Sequence, residues 1–349
     1  MKKSLAGLSL IELEELLSPL PRFRAGQIYK WITNGCISFN DMTNIPLSLQ
    51  KELSEKFLIF SGSVACCHDD NETKKIAINL SDGAKIEAVL LNDGKNRYTA
   101  CLSTQVGCPC GCVFCKTGSL GFKRNLESHE ITEQLLFLLS SMKTSKAGKK
   151  KEHIIDNIVI MGMGEPFLNL DNLRKSINII TDPKGLNFSK RRITVSTCGI
   201  CDGIFELAEN GPYIRLALSL TTADESLRQQ LMPISAANPL QAVKEALLVF
   251  QRKSGQRITL EVPLLGGINT RDIDAKSIAD FAKTLDTVIN IIPWNHVSGL
   301  SFNGKPLLEP SKRETEEYIN ILKSNKLKVT IRLHKGRSVM GACGQLGAL

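Results

Sequence analysis

Four cysteines crowd into eight residues of this chain, at positions 108, 110, 112 and 115 of Gly107-Cys108-Pro109-Cys110-Gly111-Cys112-Val113-Phe114-Cys115. Cys108, Cys112 and Cys115 follow a C-x3-C-x2-C spacing. Three thiolates that close together can hold three irons of a cubane cluster, because iron–sulfur clusters are normally ligated by cysteine. The fourth iron then has no protein ligand, and catalytic metal sites keep such a position open for substrate. Gly107 and Gly111 permit the tight loop this needs. Phe114, between two ligands, would shield the cluster. Cys110 falls outside the spacing and reads as a non-ligand. A structural zinc site competes with this reading: zinc takes four ligands, often as two spaced pairs, and Cys198-x2-Cys201 offers a second pair.

Eleven cysteines in all is an odd number, and no export signal accompanies them. Met1-Lys2-Lys3 leads into a partly apolar stretch, but Glu12, Glu14 and Glu15 interrupt it and no small-residue cleavage site follows. A secreted disulfide scaffold is therefore disfavoured. Apolar runs such as Leu135 to Leu139 are far too short to span a bilayer, so a cytoplasmic protein with no membrane association is expected. Hydrophobic residues make up 42% and charged residues 23%, as in a globular protein with a buried core. Lys and Arg outnumber Asp and Glu by 44 to 35, a net charge of +9. That sign suits a polyanion, RNA first among them, although it also serves plain solubility.

The cysteine loop must be carried by something rigid. Residues 1 to about 60 read as helical pieces: Leu8 to Leu17, Arg22 to Gly35 with Ile28, Trp31 and Ile32 on one side, and Pro46 to Phe57. Arg22, Arg24 and Lys30 give this region a basic edge. Lys75 to Leu80 and Lys85 to Leu91 flank the turn Ser81-Asp82-Gly83 and predict a hairpin. Strands are then expected at Ile155 to Met161, Arg192 to Ser196, Ile214 to Leu220, Ile258 to Val262, Val288 to Ile292 and Lys328 to Leu333. Helices are expected between them at Glu130 to Ser141, Leu170 to Ile180, Gly203 to Glu209, Pro239 to Arg252, Asp274 to Leu285 and Glu314 to Asn325. Repeated strand–helix units imply a parallel α/β sheet, open or closed as a barrel. In either form ligands gather at the C-terminal strand ends. The lysine-rich run Lys143 to Lys151 reads as an exposed loop.

The stretch Cys101 to Glu130, CLSTQVGCPCGCVFCKTGSLGFKRNLESHE, resembles the radical SAM (S-adenosylmethionine) RNA adenine methyltransferases. Within them it is most similar to the dual-specificity adenine-C2 methyltransferases of 23S rRNA and tRNA, the RlmN family. The similarity runs along nearly the whole chain. It includes Phe23-Arg24-Ala25-Gly26-Gln27-Ile28, Met161-Gly162-Met163-Gly164-Glu165-Pro166, Pro293-Trp294-Asn295 and Ala342-Cys343-Gly344-Gln345-Leu346. The resemblance implies a partial (β/α) barrel of the radical SAM type. Residues 1–60 would be an RNA-binding accessory domain, 61–94 a β-hairpin extension and 95–349 the radical SAM core. It also implies one 4Fe-4S cluster on Cys108, Cys112 and Cys115, and SAM, two molecules per methylation.

By the same resemblance SAM is bound by Gly164, Glu165, Ser196, Ser219, Leu220, Thr221 and Asn295. Thr221 stands where the family has a histidine. Cys343, Cys101 and Glu87 are the implied catalytic residues. Carbon 2 of adenine is electron-poor and has no lone pair for a methyl sulfonium, so a radical route meets a real need. In the implied sequence Cys343 accepts a methyl group and loses a hydrogen from it to a deoxyadenosyl radical. The resulting methylene adds to the base, Glu87 accepts a proton, and Cys101 attacks the Cys343 sulfur to release product and leave a transient disulfide. The segment Lys335 to Gly341 departs from the family, which carries acidic residues there. Expected partners are 23S rRNA, tRNA and an electron donor such as flavodoxin or ferredoxin, with a monomeric protein. RNA contacts are expected from basic residues including Lys190, Arg191 and Arg192. Three alternatives stay open: methylation at carbon 8 of the same ribosomal adenine, a radical SAM enzyme with a non-RNA substrate, and a zinc-containing RNA-binding module.

Overall fold

Sequence order is also spatial order in the sheet that carries this protein. A computed structural model describes residues 2–70, 72–95, 97–143, 155–332 and 336–347. Its main strands are β1 (Ser63–Asp69), β2 (Thr73–Asn79), β3 (Lys85–Asn92), β4 (Tyr98–Cys101), β5 (Asn157–Ile160), β6 (Ile193–Thr197), β7 (Arg215–Ser219), β8 (Ile258–Leu264), β9 (Thr287–Pro293) and β10 (Val329–Ile331). They form one 10-stranded sheet in which each strand neighbours the next in the chain. From β1 to β4 the pairings are antiparallel; from β4 to β10 they are parallel. Among the described residues β1 and β10 do not pair, so the sheet stays open. This is the expected α/β architecture of a partial barrel.

The principal helices are α1 (Leu10–Leu16), α2 (Arg22–Thr33), α3 (Leu47–Lys56), α4 (Ser128–Lys143), α5 (Leu170–Thr181), α6 (Cys201–Asn210), α7 (Glu225–Leu231), α8 (Leu240–Ser254), α9 (Asp272–Ala282) and α10 (Lys312–Ser324). Their ends follow from local chemistry. Ser9 and Glu12 close a capping box at the start of α1, and Ser311 and Glu314 close another at α10. Gly255, left-handed at φ +64°, ends α8. Parallel strands are covered on both faces and so read as continuous apolar runs. Val195, Leu216, Leu218, Leu260, Val262, Ile289 and Ile291 accordingly lie in the core. Fully burying each such side chain contributes roughly 1.5–3 kcal/mol before conformational entropy is subtracted.

The hairpin forms with Ala77 opposite Glu87. It is not an appendage, because β3 pairs with β4 and sets Val89 against Cys101. Sheet pairing therefore runs straight across the 94–95 boundary. The N-terminal helices bury Leu13, Ile28, Ile32 and Leu53 in a second core that also takes in Leu136 of α4. Polar ties fix this unit to the sheet's helices. Tyr29 Oη donates to Asp182 at 2.9 Å, Lys175 pairs with Glu12 at 2.5 Å, and Glu133 accepts the backbone N–H groups of Ser61 and Gly62. No helix of the described residues is long and apolar enough to cross a membrane. The lysine run, apart from the last residue of α4, lies outside the described residues.

Candidate active site

One cavity of about 180 Å³ opens at the C-terminal strand ends, where parallel α/β sheets place their ligands. The loop after β4 brings Cys108, Cys112 and Cys115 to its wall. Gly107 adopts φ +77°, and a Cβ there would meet the Gly121 carbonyl oxygen at 1.8 Å, so only glycine fits. The loop is laced to its surroundings through the backbone. Val113 N–H donates to the Leu231 carbonyl at 3.0 Å, Lys116 N–H to that of Gly344 at 2.8 Å, and Trp294 Nε1 to that of Phe114 at 2.9 Å.

Three cysteines on one short loop, facing one cavity, fit a cluster bound by three thiolates. Without metal these thiols stay protonated. Burial, then neighbouring Cys115 and Cys108, pushes Cys112 well up; burial raises Cys115; a hydrogen bond with Cys110, then burial, raises Cys108. Loading the site must therefore release protons.

Cys110 touches both sides: its thiol hydrogen-bonds with Cys108, and its Sγ lies 3.5 Å from Cys198 Sγ. Cys110, Cys198 and Glu165 bring one donor atom each within 4.8 Å. Both Glu165 oxygens already accept backbone N–H groups, from Phe167 and Cys198. Cys201 does not join the pair; its thiol contacts the Gly199 carbonyl instead. The zinc reading that combined Cys198 with Cys201 thus has no common centre.

The opposite wall holds the remaining expected residues. Gly164 sits at φ +104°, and an added Cβ would meet Gln105 Cβ at 2.6 Å. Gln105 Oε1 in turn accepts Glu165 N–H at 2.8 Å. Glu165 is fully enclosed, and burial raises its carboxyl. Ser196 and Ser219, on adjacent strands, bring their hydroxyls to 3.0 Å. Thr221 also lines the cavity. It has φ +65°, costly for a β-branched residue, and its buried Oγ1 has no hydrogen-bond partner. An orphan hydroxyl on a strained backbone at the cavity wall is what a polar ligand would satisfy. Leu220 is buried behind this wall and does not line the cavity.

Asn295 is at the wall too, but its side chain is engaged by the C-terminal loop. Its Nδ2 donates to the Cys343 carbonyl at 3.1 Å, and its Oδ1 accepts Arg337 Nε at 3.0 Å. Arg337, in the segment that departs from the family, also pairs with Glu309 at 3.0 Å. Cys343 lines the large cavity and a smaller one beside it, which Cys101 also lines. The structure thus brings Cys101 and Cys343 to one space and the cysteine triad to the next.

Glu87 lines neither cavity. Its carboxylate is buried, accepts Gly347 N–H at 2.8 Å and lies 3.5 Å from Lys75 Nζ. Lys75 also donates to the Met340 carbonyl at 3.1 Å, so this buried pair ties β2 and β3 to the Cys343 loop. Replacing Lys75 with Met strips Glu87 of its lysine. Urea unfolding should register a loss of about 3 kcal/mol; an unchanged midpoint would mean that Glu87 does not depend on Lys75.

Lys190, Arg191 and Arg192 precede β6 and lie at the end of that strand away from the cavity, so they do not reach the site. Two residues that the sequence reading passed over do. Glu261 interrupts the otherwise apolar β8; burial raises its carboxyl, opposed by the charge of Arg332. Arg332, just after β10, lines both cavities. The signal for Glu261 was present, as a lone carboxylate inside a buried strand.

Comparison with known proteins agrees with this geometry. The family profile described as Radical SAM superfamily matches residues 102–276. A second, described as Ribosomal RNA large subunit methyltransferase N-terminal domain, matches residues 3–59. A probable dual-specificity RNA methyltransferase RlmN of Treponema denticola is 46% identical over 348 residues, 99% of this chain and 96% of the relative. The dual-specificity RNA methyltransferase RlmN of Lawsonia intracellularis is 40% identical over 93% of this chain and 90% of its own. The crystal structure of a radical SAM methyltransferase from Sphaerobacter thermophilus superposes with a TM-score of 0.91 at 34% identity, covering 99% of this chain and 100% of that one.

Proposed function

The chain belongs to the RlmN family of radical SAM RNA methyltransferases, and from that premise we propose that it methylates carbon 2 of an adenine in 23S rRNA, at the peptidyl-transferase centre, and in tRNA beside the anticodon. The observation that carries this reading is the pair of joined cavities, with Cys101 and Cys343 lining one and Cys108, Cys112 and Cys115 lining the other. A radical SAM enzyme acting on a small molecule has no need of two thiols lining one cavity beside its cluster.

Cys108, Cys112 and Cys115 would hold the cluster, which a reductant such as flavodoxin or ferredoxin would serve. With SAM bound, it would supply the electron that frees a hydrogen-abstracting radical from SAM, which is what an unactivated methyl group requires. Gly164, Glu165, Ser196, Ser219, Thr221 and Asn295 form the wall against which SAM is oriented. Cys343 takes a methyl group on its sulfur and presents it at the junction of the two cavities. The target adenine must leave its stack to arrive there. Once the methyl carbon is bonded to carbon 2, the adduct would give up its unpaired electron to the oxidised cluster and Glu87 accepts the carbon-2 proton. The Cys101 thiolate then attacks the Cys343 sulfur; the sulfur–carbon bond breaks as the disulfide forms, its electron pair stays with the carbon, and that carbon takes up a proton to become the methyl group. In the resting structure Glu87 lies outside both cavities, held by Gly347 and Lys75, so this role requires a rearrangement. The surface groove of Phe23, Gln27, Lys30 and Trp31 on the helical unit offers aromatic and basic contacts for the RNA.

Anaerobically reconstituted protein, incubated with SAM, a reductant and unmodified 23S rRNA or tRNA, tests this reading. Digestion to nucleosides with isomer-resolving mass spectrometry should give 2-methyladenosine. Finding 8-methyladenosine instead would reassign the carbon, and finding no methylated adenosine would overturn the proposal.

A further inference from the structure

The largest of the fully buried side chains carries a positive charge. Arg228, on the short helix α7, is completely excluded from solvent. Its Nε donates to the Leu220 carbonyl at 3.2 Å and its Nη2 to the Cys198 carbonyl at 2.5 Å. Nη1 is buried with no hydrogen-bond partner. Among the described residues no carboxylate forms an ion pair with it. A guanidinium keeps its charge even in the interior, and a buried charge with no close ion-pair partner is costly; the Glu225 carboxylate acts on Arg228 only at a distance.

The position of α7 says where the missing anion belongs. The Arg228 carbonyl accepts Met232 N–H at 2.7 Å, and the Leu231 carbonyl accepts Val113 N–H at 3.0 Å, between Cys112 and Cys115. The carbonyl that Nη2 grips is that of Cys198, whose thiol meets Cys110.

We propose that Arg228 is the counter-ion of the cluster held by Cys108, Cys112 and Cys115, a positioning residue that favours the reduced state. This rests on the cluster assignment made above. Three thiolates leave an iron–sulfur cubane with net negative charge, and taking up one electron from the external reductant adds another unit. A fixed buried cation stabilises the reduced form more than the oxidised one. Net charge is one of the quantities that set cluster potentials.

The alternative is that Arg228 only bridges two carbonyls, and a crossed set of variants separates the two roles. R228K keeps the charge and loses the planar fork, whereas R228Q and R228M lose the charge, with glutamine retaining a donor. Full-length proteins are reconstituted anaerobically, matched for iron and titrated with a low-potential reductant while the reduced cluster is followed by electron paramagnetic resonance. Both neutral variants should show a one-electron reduction equilibrium at least tenfold less favourable, about 59 mV, and R228K should stay within a few-fold of the wild type. Neutral variants that take up no iron while R228K does would equally support the counter-ion role. Equal potentials in all four proteins would overturn it. So would a lysine variant that is as impaired as the neutral ones or that takes up no iron. A wild-type protein that forms no cluster would be a different failure, one of the triad assignment itself.

Discussion

Replacing Cys101 with Ala is expected to stop turnover and leave the protein covalently joined to its RNA. If Cys101 resolves the bond between Cys343 and the base, its loss blocks the final step after the bond has formed. Turnover should fall at least roughly 10³-fold, the scale on which groups acting as one covalent unit fail together. A denaturing gel should show a slow band containing both protein and RNA, dependent on SAM and reductant. Cys343→Ala should give neither adduct nor product. Free RNA and free protein with continuing turnover in the Cys101 variant would remove this thiol from the mechanism. The environment of Cys101 suits a group held in reserve: burial, together with Cys343, pushes its thiol up to about 12, with Arg332 opposing. At neutral pH the resting thiol is protonated, and thiols rather than thiolates are poor nucleophiles. It therefore does not cross-link to Cys343 ahead of time, and a base must take its proton when it attacks.

The second large effect concerns the triad. Alanine at Cys108, Cys112 or Cys115 should abolish the brown colour of the reconstituted protein and its reductive cleavage of SAM, again by roughly 10³-fold or more, since an incompletely ligated cluster is not retained. Cys110→Ala should keep the full iron content, because Cys110 lies outside the C-x3-C-x2-C spacing and its Sγ also meets Cys198 Sγ at 3.5 Å. Iron and sulfide analysis with visible absorbance reads both outcomes. A Cys110 variant that loses iron while one of the triad variants keeps it would mean that the ligands are misassigned.

Periodicity located the parallel strands β5 to β10 and most of the helices to within a few residues, because buried strands such as β8 and amphipathic helices such as α8 write their environment into their composition. Two elements left no such trace. β1, Ser-Val-Ala-Cys-Cys-His-Asp, is a largely exposed edge strand and shows no alternation. α7 is seven residues long, and its key buried residue is an arginine, which sequence reasoning assigns to the surface. The cysteine triad was legible because its spacing is local. The meeting of Cys101 with Cys343 was not, since 242 positions separate them (343 minus 101) and only resemblance joined them. Arg332 and Glu261 escaped for a related reason: each is an ordinary charged residue until the sheet brings their strands to the same rim.

A sheet whose neighbours in space are neighbours in the chain can be laid down in the order of synthesis, each strand finding its edge already waiting. The loop that receives iron emerges early, but three partners of its backbone, Leu231, Trp294 and Gly344, lie in the later part of the chain. The cysteine loop is therefore locked only as the last strands dock, so the iron site and the Cys343 thiol beside it take their final form together.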